Sequence, residues 1–399
     1  MRLPYLTADI PGTGGSIKTA PEDFRVEELP SYEPCGSGDH LYVVIEKQGM
    51  TTLDAIRRFA AALKVPEREI GYAGLKDAVG VTRQTISLPR VPVQSVLDLK
   101  LEHINVINAQ YHKNKLKVGH LKGNRFRITV RGVVPGAADI ARAVLDRLQR
   151  RGVPNYFGPQ RYGAQHNSHS IGRAMLRGDW RGAVDALLGD PDQVTDEAWR
   201  NAIAAYHRGD LAGALRLLPR YCRGERDVLQ RLVARPDAPE KAFAAIHPRL
   251  RKLYLSAWQS HLFDGVVAAR LEEIDTIRPG DLAWIHRNGA CFLVEDAAVE
   301  ASRAATFEIS ASGPMYGPRM KQPAGRVFEL EQHVLSDETG GMTGAGMVSA
   351  LLPDGERRPL RIPLGDVQVH MEEDALQLEF PLPRGSYATS VLREITRSW

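Results

Sequence analysis

Val367-Gln-Val-His-Met371 and Leu376-Gln-Leu-Glu-Phe380 alternate apolar and polar residues, the period-two pattern of strands that bury one face. They stand near the end of a chain of 399 residues. A lone pair of strands is marginal in water, so these two need partners. The strand-rich region able to supply them lies at the opposite end, in roughly the first 150 residues. The middle of the chain therefore reads as an insertion into a domain made from both ends.

In the N-terminal region Phe24 and Val26 alternate with Arg25 and Glu27 as in a half-buried strand. A Gly-rich turn at Cys35-Gly-Ser-Gly38 then leads to a more deeply buried one, His40-Leu-Tyr-Val-Val-Ile-Glu46. Thr51-Thr-Leu-Asp opens a helix with a capping hydroxyl, and Leu53, Ile56, Ala60 and Leu63 recur on one face until Pro66 stops it. Gln84-Thr-Ile-Ser-Leu88 and Ile104-Asn-Val-Ile107 predict further strands. Tyr111–Arg131 is the most basic stretch, with Lys113, Lys115, Lys117, Lys122, Arg125, Arg127 and Arg131 and no acid. As a strand it places cations on one face and Leu116, Val118, Phe126 and Ile128 on the other. Such a face suits a phosphate backbone; the plainer alternative is a solvated strand face. A helix follows with Ile140, Val144, Leu145 and Leu148 inward. Gly152-Val-Pro-Asn-Tyr-Phe-Gly-Pro-Gln-Arg-Tyr-Gly163 sets three aromatics and Arg161 among glycines and prolines, too rigid for a linker. It reads both as a plug of buried aromatics and as a surface that stacks RNA.

From about residue 165 to 275 the texture is Ala- and Leu-rich and helical. Arg177-Gly-Asp-Trp-Arg-Gly-Ala and Arg208-Gly-Asp-Leu-Ala-Gly-Ala resemble each other, but two copies do not make a stacked array. Leu253–Val267 predicts a long helix with Leu255, Leu262, Phe263 and Val266 in the core. Residues 279–345 return to short strands and Gly/Pro turns, so a second, mixed domain is expected. After the tail strands, Gly385 precedes a short helix whose N-terminus offers backbone N–H groups.

The net charge of +4 permits a nucleic-acid partner without demanding one. No apolar run approaches the ~20 residues of a membrane span, and Met1-Arg-Leu-Pro-Tyr lacks a signal-peptide core, so a soluble, cytoplasmic protein is expected. Cys35, Cys222 and Cys291 form no CxxC pair, which fits a reducing compartment and predicts no zinc site.

The chemistry concentrates in Gly71-Tyr-Ala-Gly-Leu-Lys-Asp-Ala-Val-Gly-Val-Thr-Arg-Gln84. Gly71, Gly74 and Gly80 place Asp77 on a tight loop, and Lys76, Thr82, Arg83 and Gln84 put donors and positive charge near it, so the carboxylate stays ionised and aimed. An ordinary turn is the alternative. Two rival sites are weaker. His166 and His169, one turn apart on a helix, have no carboxylate-rich partner set to complete a metal site. Ser260 and His261, adjacent on a helix, diverge.

Pro21-Glu-Asp-Phe-Arg-Val-Glu27, Gly74-Leu-Lys-Asp-Ala-Val-Gly-Val-Thr-Arg-Gln84, Leu121-Lys-Gly-Asn-Arg-Phe126, the Gly152–Gly163 stretch and Gly385-Ser-Tyr-Ala-Thr-Ser-Val-Leu-Arg-Glu394 together resemble the tRNA pseudouridine synthase D (TruD) family. The second and fourth motifs are highly specific. The resemblance implies an α+β fold. It comprises a pseudouridine synthase catalytic domain with a mixed, mostly antiparallel sheet over 1–154 and 351–399, interrupted by an α/β TRUD domain over 155–350. It implies conversion of a uridine in tRNA, uridine 13 in the bacterial members, to pseudouridine, without cofactor or metal, by a monomer needing no protein partner. The catalytic aspartate falls on Asp77, the basic residue near it on Lys18, the pocket residues on Asn124 and Phe126, and a nucleotide-lining aromatic on Phe24. The aromatic after Gly-Ser, often Phe in the family, is Tyr387. Lys113, Lys115, Lys117, Lys122, Arg125 and Arg161 are the candidates for the RNA backbone. The rival to this reading is a non-catalytic RNA-binding or scaffold protein.

Overall fold

The structure is a computed structural model that describes residues 3–76, 78–339 and 351–398; Asp77 lies outside the described residues. The chain divides into two compact units, one made of Tyr5–Val153 with Ile362–Trp399 and the other built on Pro154–Arg361.

The first unit holds a sheet of nine strands: β1 (Gly14–Ser16), β2 (Phe24–Pro30), β3 (His40–Gln48), β4 (Gly71–Tyr72), β5 (Val81–Pro89), β6 (Ile104–His112), β7 (Leu121–Val133), β8 (Gln368–Glu372) and β9 (Ala375–Pro383). Their order is β8-β9-β7-β2-β5-β3-β6, with β1 beside β7 and β4 beside β5. The tail strands find their partner as their alternation requires, since β9 pairs antiparallel with β7 from Ala375 opposite Arg131 to Pro383 opposite Gly123. β2 and β5 run parallel, which makes the sheet mixed.

Thr51 caps the helix Thr52–Leu63, accepting from the Asp54 amide while the Asp54 carboxylate takes the Thr51 N–H. Ala55, Ile56, Phe59 and Ala60 of this helix pack on Leu41, Val43, Ile45 and Ile86 of the sheet. Each Ile or Phe fully buried there contributes roughly 1.5–3 kcal/mol. Leu53, expected inward, is exposed, because the buried stripe runs through positions 52, 55, 56, 59 and 60. The helices Ala137–Arg151 and Ala388–Thr396 pack against each other. The first buries Val144, Leu145 and Leu148 and the second Val391, Leu392 and Ile395.

Tyr111–Arg131 is not one strand. β6 ends at His112, residues 113–120 form a loop with Gly119 at φ +92°, and β7 begins at Leu121. Val118 is therefore exposed rather than inward, whereas Leu116, Phe126 and Ile128 are buried.

In the second unit, helices from Ser168–Leu176 to Pro248–Ala269 enclose a core that includes Leu255, Trp258 and Leu262. The two Arg-Gly-Asp copies are one local device used twice. Arg177 and Arg208 end a helix, Gly178 and Gly209 take positive φ, and Asp179 and Asp210 cap the next helix through the amides of Gly182 and Gly213. Strands Cys291–Leu293, Leu282–Ile285, Ile309–Met315 and Glu356–Pro359 form an antiparallel sheet in that order. The last pairing carries this unit past residue 350 to Arg361.

Candidate active site

Asn124 and Phe126 alternate on β7 and so share a face, and the register sets Val26 opposite Phe126 and Glu28 opposite Asn124. Phe24 therefore lies on the same face of β2. Its ring meets Phe126 edge-on, 6.3 Å between centroids at 63°, and Phe126 in turn lies 5.8 Å from Phe380 of β9. Lys18, at φ +60°, holds its ammonium 4.5 Å above the Phe24 ring. These residues line one end of the sheet with aromatic faces and a cation.

The loop that contains Asp77 enters at this end. Residues 73–76 and 78–80 are bends and irregular backbone rather than helix, between β4 and β5. Gly80, at φ +129°, abuts the Phe24 backbone, and a Cβ there would fall 2.4 Å from the Phe24 carbonyl oxygen. Lys76, the residue before Asp77, is 8% exposed and tied to three elements. Its N–H donates to Thr52 Oγ1 at 2.8 Å, its ammonium donates to Asn124 Oδ1, and it pairs with Glu28 Oε2 at 3.4 Å. Thr52 Oγ1 passes its own hydrogen to Gln84 Oε1 at 2.8 Å, and Glu28 Oε1 accepts from the Thr85 N–H at 3.2 Å. Burial pushes the Glu28 carboxyl up and the Lys76 ammonium down from their ordinary values, and each charge opposes the other's shift.

Thus Lys18, Phe24, Asn124 and Phe126 come together. Tyr387 sits at the N-cap of the helix Ala388–Thr396, 38% exposed, after the turn that follows β9. Sequence reading missed Glu28, Thr52 and Phe380. An acid continuing the buried Phe24, Val26 series was the available signal for Glu28.

The cations divide into two groups. Lys113, Lys117 and Lys122 are exposed and have no ion-pair partner among the described residues, while Lys115 donates to the Arg68 carbonyl at 2.6 Å. The loop 113–120, which carries all of these but Lys122 at the start of β7, packs on the Asp77 segment, with the Gly119 N–H on the Ala73 carbonyl at 2.8 Å and Leu116 in a cluster with Ala73 and Leu121. The β7 arginines face acids from elsewhere in the unit: Arg127 meets Glu379 of β9 at 2.9 Å, Arg125 the same carboxylate at 3.8 Å, and Arg131 clasps Asp23, just before β2, at 2.7 Å. The acid-free stretch is thus not an acid-free face.

Arg161 belongs to the second unit, where it donates to Ser260 Oγ at 2.9 Å and to Ser256 Oγ. Its loop buries Tyr156 and Phe157 and is pinned by Asp264, which accepts from the Phe157 N–H at 2.9 Å and from the Tyr162 hydroxyl. His166 and His169 are not one helical turn apart, because the helix starts at Ser168 and His166 precedes it at φ +52°. His169 stacks on His261, which pairs with Glu338 at 3.0 Å. Among the described residues no group of three or more His, Cys, Asp or Glu is placed to hold a metal, and no helix is long and apolar enough to cross a membrane.

The family model of tRNA pseudouridine synthase D (TruD) matches residues 1–395. A tRNA pseudouridine synthase D from Geotalea daltonii is 60% identical over 99% of this chain and 100% of its own length. One from Thermus thermophilus is 36% identical over 99% and 92%. A TruD crystal structure from Methanosarcina mazei superposes with a TM-score of 0.85 at 25% identity, covering 100% of this chain and 99% of that one. With the α+β architecture and the motif-bearing loops already in place, these matches show that the chain belongs to the tRNA pseudouridine synthase D (TruD) family.

Proposed function

We propose that the chain isomerises one uridine of tRNA, uridine 13, with Asp77 as the catalytic carboxylate acting on a base turned out of its stack between Phe24, Phe126 and Asn124. Membership of the family makes the chain a tRNA pseudouridine synthase, an isomerase. The observation that carries the finer reading is the clamp on Lys76. The residue next to Asp77 bonds directly to Asn124, two positions from Phe126, so the carboxylate's loop and the aromatic pocket are held as one assembly.

The reaction breaks the N1–C1′ bond, turns the base and joins C5 to C1′, with a proton leaving C5 and one gained at N1. Asp77 serves either as nucleophile at C1′ or as the base that takes a sugar proton. Phe126 supplies a stacking surface, with stacking on the order of 1–3 kcal/mol, and Lys18 keeps the site electropositive. Lys113 and Lys117, on the loop that packs against the Asp77 segment, and Lys122, at the start of β7, track the phosphates. The enzyme works as a cytoplasmic monomer without cofactor or protein partner.

The test is pseudouridine mapping on tRNA from cells that lack this protein, incubated with wild type, Asp77→Asn or Asp77→Ala. Wild type is expected to install one pseudouridine at position 13, and both variants to bind the tRNA and install none. Wild type that binds RNA and modifies nothing would replace this reading with that of a non-catalytic RNA-binding protein.

A further inference from the structure

We propose that Lys76 is a positioning residue that fixes which end of the Asn124 amide faces the substrate, and thereby selects uracil over cytosine. The inference rests on the reading that Asn124 lines the base pocket.

A free asparagine amide offers a carbonyl oxygen and an NH2 of nearly equal size, and turning it over exchanges acceptor for donor. Here the choice is removed. An ammonium group has hydrogens to give and no lone pair, so the atom of Asn124 that meets Lys76 Nζ is the carbonyl oxygen, Oδ1. Asn124 Nδ2 then points away from the clamp and has no partner among the described residues. The ammonium itself cannot swing aside. Its side chain is 6% exposed, its backbone N–H is held by Thr52, and the Glu28 carboxylate, 2% exposed, lies 3.4 Å from its nitrogen on the strand next to Asn124.

The consequence is a pocket that donates and does not accept at this point. Uracil presents a carbonyl oxygen at C4, which accepts from Nδ2; the C2 carbonyl is common to uracil and cytosine, so the distinction is read at C4. Cytosine presents an amine at C4, so there two donors face each other and a buried N–H goes unpaired. Removing the Lys76 charge frees the amide to turn over, accept from that amine and lose the distinction. Glu28 acts one step further out, by keeping the ammonium charged and in place.

The experiment measures binding of the full-length protein to three RNAs that differ at the target position: uridine, cytidine or no base. Lys76→Met tests the clamp. Because it strands a buried carboxylate, the double variant Glu28→Gln/Lys76→Met, which leaves no lone charge, is measured beside it, with folding checked by circular dichroism. Asn124→Asp keeps the partner of Lys76 but removes the donor. Wild type is expected to prefer uridine RNA to cytidine RNA. In Lys76→Met, the double variant and Asn124→Asp that preference falls roughly tenfold, while affinity for the abasic RNA stays within about twofold. Full preference retained in the folded double variant overturns the inference, and so does a fall in all three affinities together, which a merely structural role would produce. If wild type shows no preference and Asn124→Ala changes nothing, the failure belongs to the pocket reading itself.

Discussion

Gly80 and Phe24 touch through their backbones so closely that the space for a Cβ on Gly80 is taken by the Phe24 carbonyl oxygen, 2.4 Å away. The segment ending at Gly80 and the strand bearing Phe24 are therefore set against each other without a side chain between them. Gly80→Ala must distort one of them, and it also places a side chain at φ +129°. A loss of about 1–3 kcal/mol in urea unfolding is expected, with a fall in turnover at temperatures where the variant is still folded. Unchanged turnover would mean that the contact relaxes without moving the site.

The exposed lysines and the β7 arginines separate in a salt titration. Among the described residues Lys113, Lys117 and Lys122 have no ion-pair partner, whereas Arg127 already faces Glu379. Replacing the three lysines by Ala is expected to weaken tRNA binding and to lower the slope of log affinity against log salt by about 2–3. Arg127→Ala should change that slope by less than one of the lysines does. Equal effects would mean that the acid on the neighbouring strand does not screen the arginine.

Acid should loosen the second unit before carboxylates titrate. Burial, helped by His261 beside one ring and Arg361 beside the other, pushes His169 and His286 down to about 4. An unfolded histidine takes its proton near 6.5, so the unfolded chain binds more protons between these values. The stabilisation is complete above about pH 6.5 and is lost as the pH falls toward 4. Melting temperature is expected to drop across that window, and the double variant His169→Phe/His286→Phe should flatten the slope. A slope as steep in the variant would assign the effect to other groups.

Arg357 and Glu331 form a bidentate pair at 2.6 and 2.8 Å, each 3% exposed, and Arg357 also donates to the Ser312 carbonyl. Glu331→Leu leaves a guanidinium buried without its counter-charge and should cost about 3–5 kcal/mol by urea unfolding. Adding Arg357→Met should recover part of that loss. If the single variant is as stable as wild type, water reaches the guanidinium.

The strands, the long helix Pro248–Ala269 and the joining of both chain ends were legible because period-two and period-3.6 patterns report which face is buried. Asn124 and Phe126 were brought together by the resemblance to a known family, and their alternation on β7 puts them on one face. What escaped was set by residues far apart in sequence. Glu379 and Asp23 reach the β7 arginines only after β9 and β2 close on β7, so an acid-free stretch looked like an acid-free surface. Val118 was misplaced because Gly119 breaks the alternation. The clamp on Lys76 draws on Glu28, Thr52 and Asn124, and no local pattern announces such a convergence.

The position of β9 has a consequence for synthesis on the ribosome. β7 is complete once residue 133 has been made, but the strand that covers its flank and sets Phe380 against Phe126 begins at Ala375. At translation rates of about 5–20 residues per second, the interval is on the order of 10–50 s. Throughout that time β7 is a bare edge able to pair with another nascent chain. The Phe380 wall against Phe126 is missing until residues 375–383 are made, so a fragment truncated before residue 375 would carry Asn124 and Phe126 and still lack it.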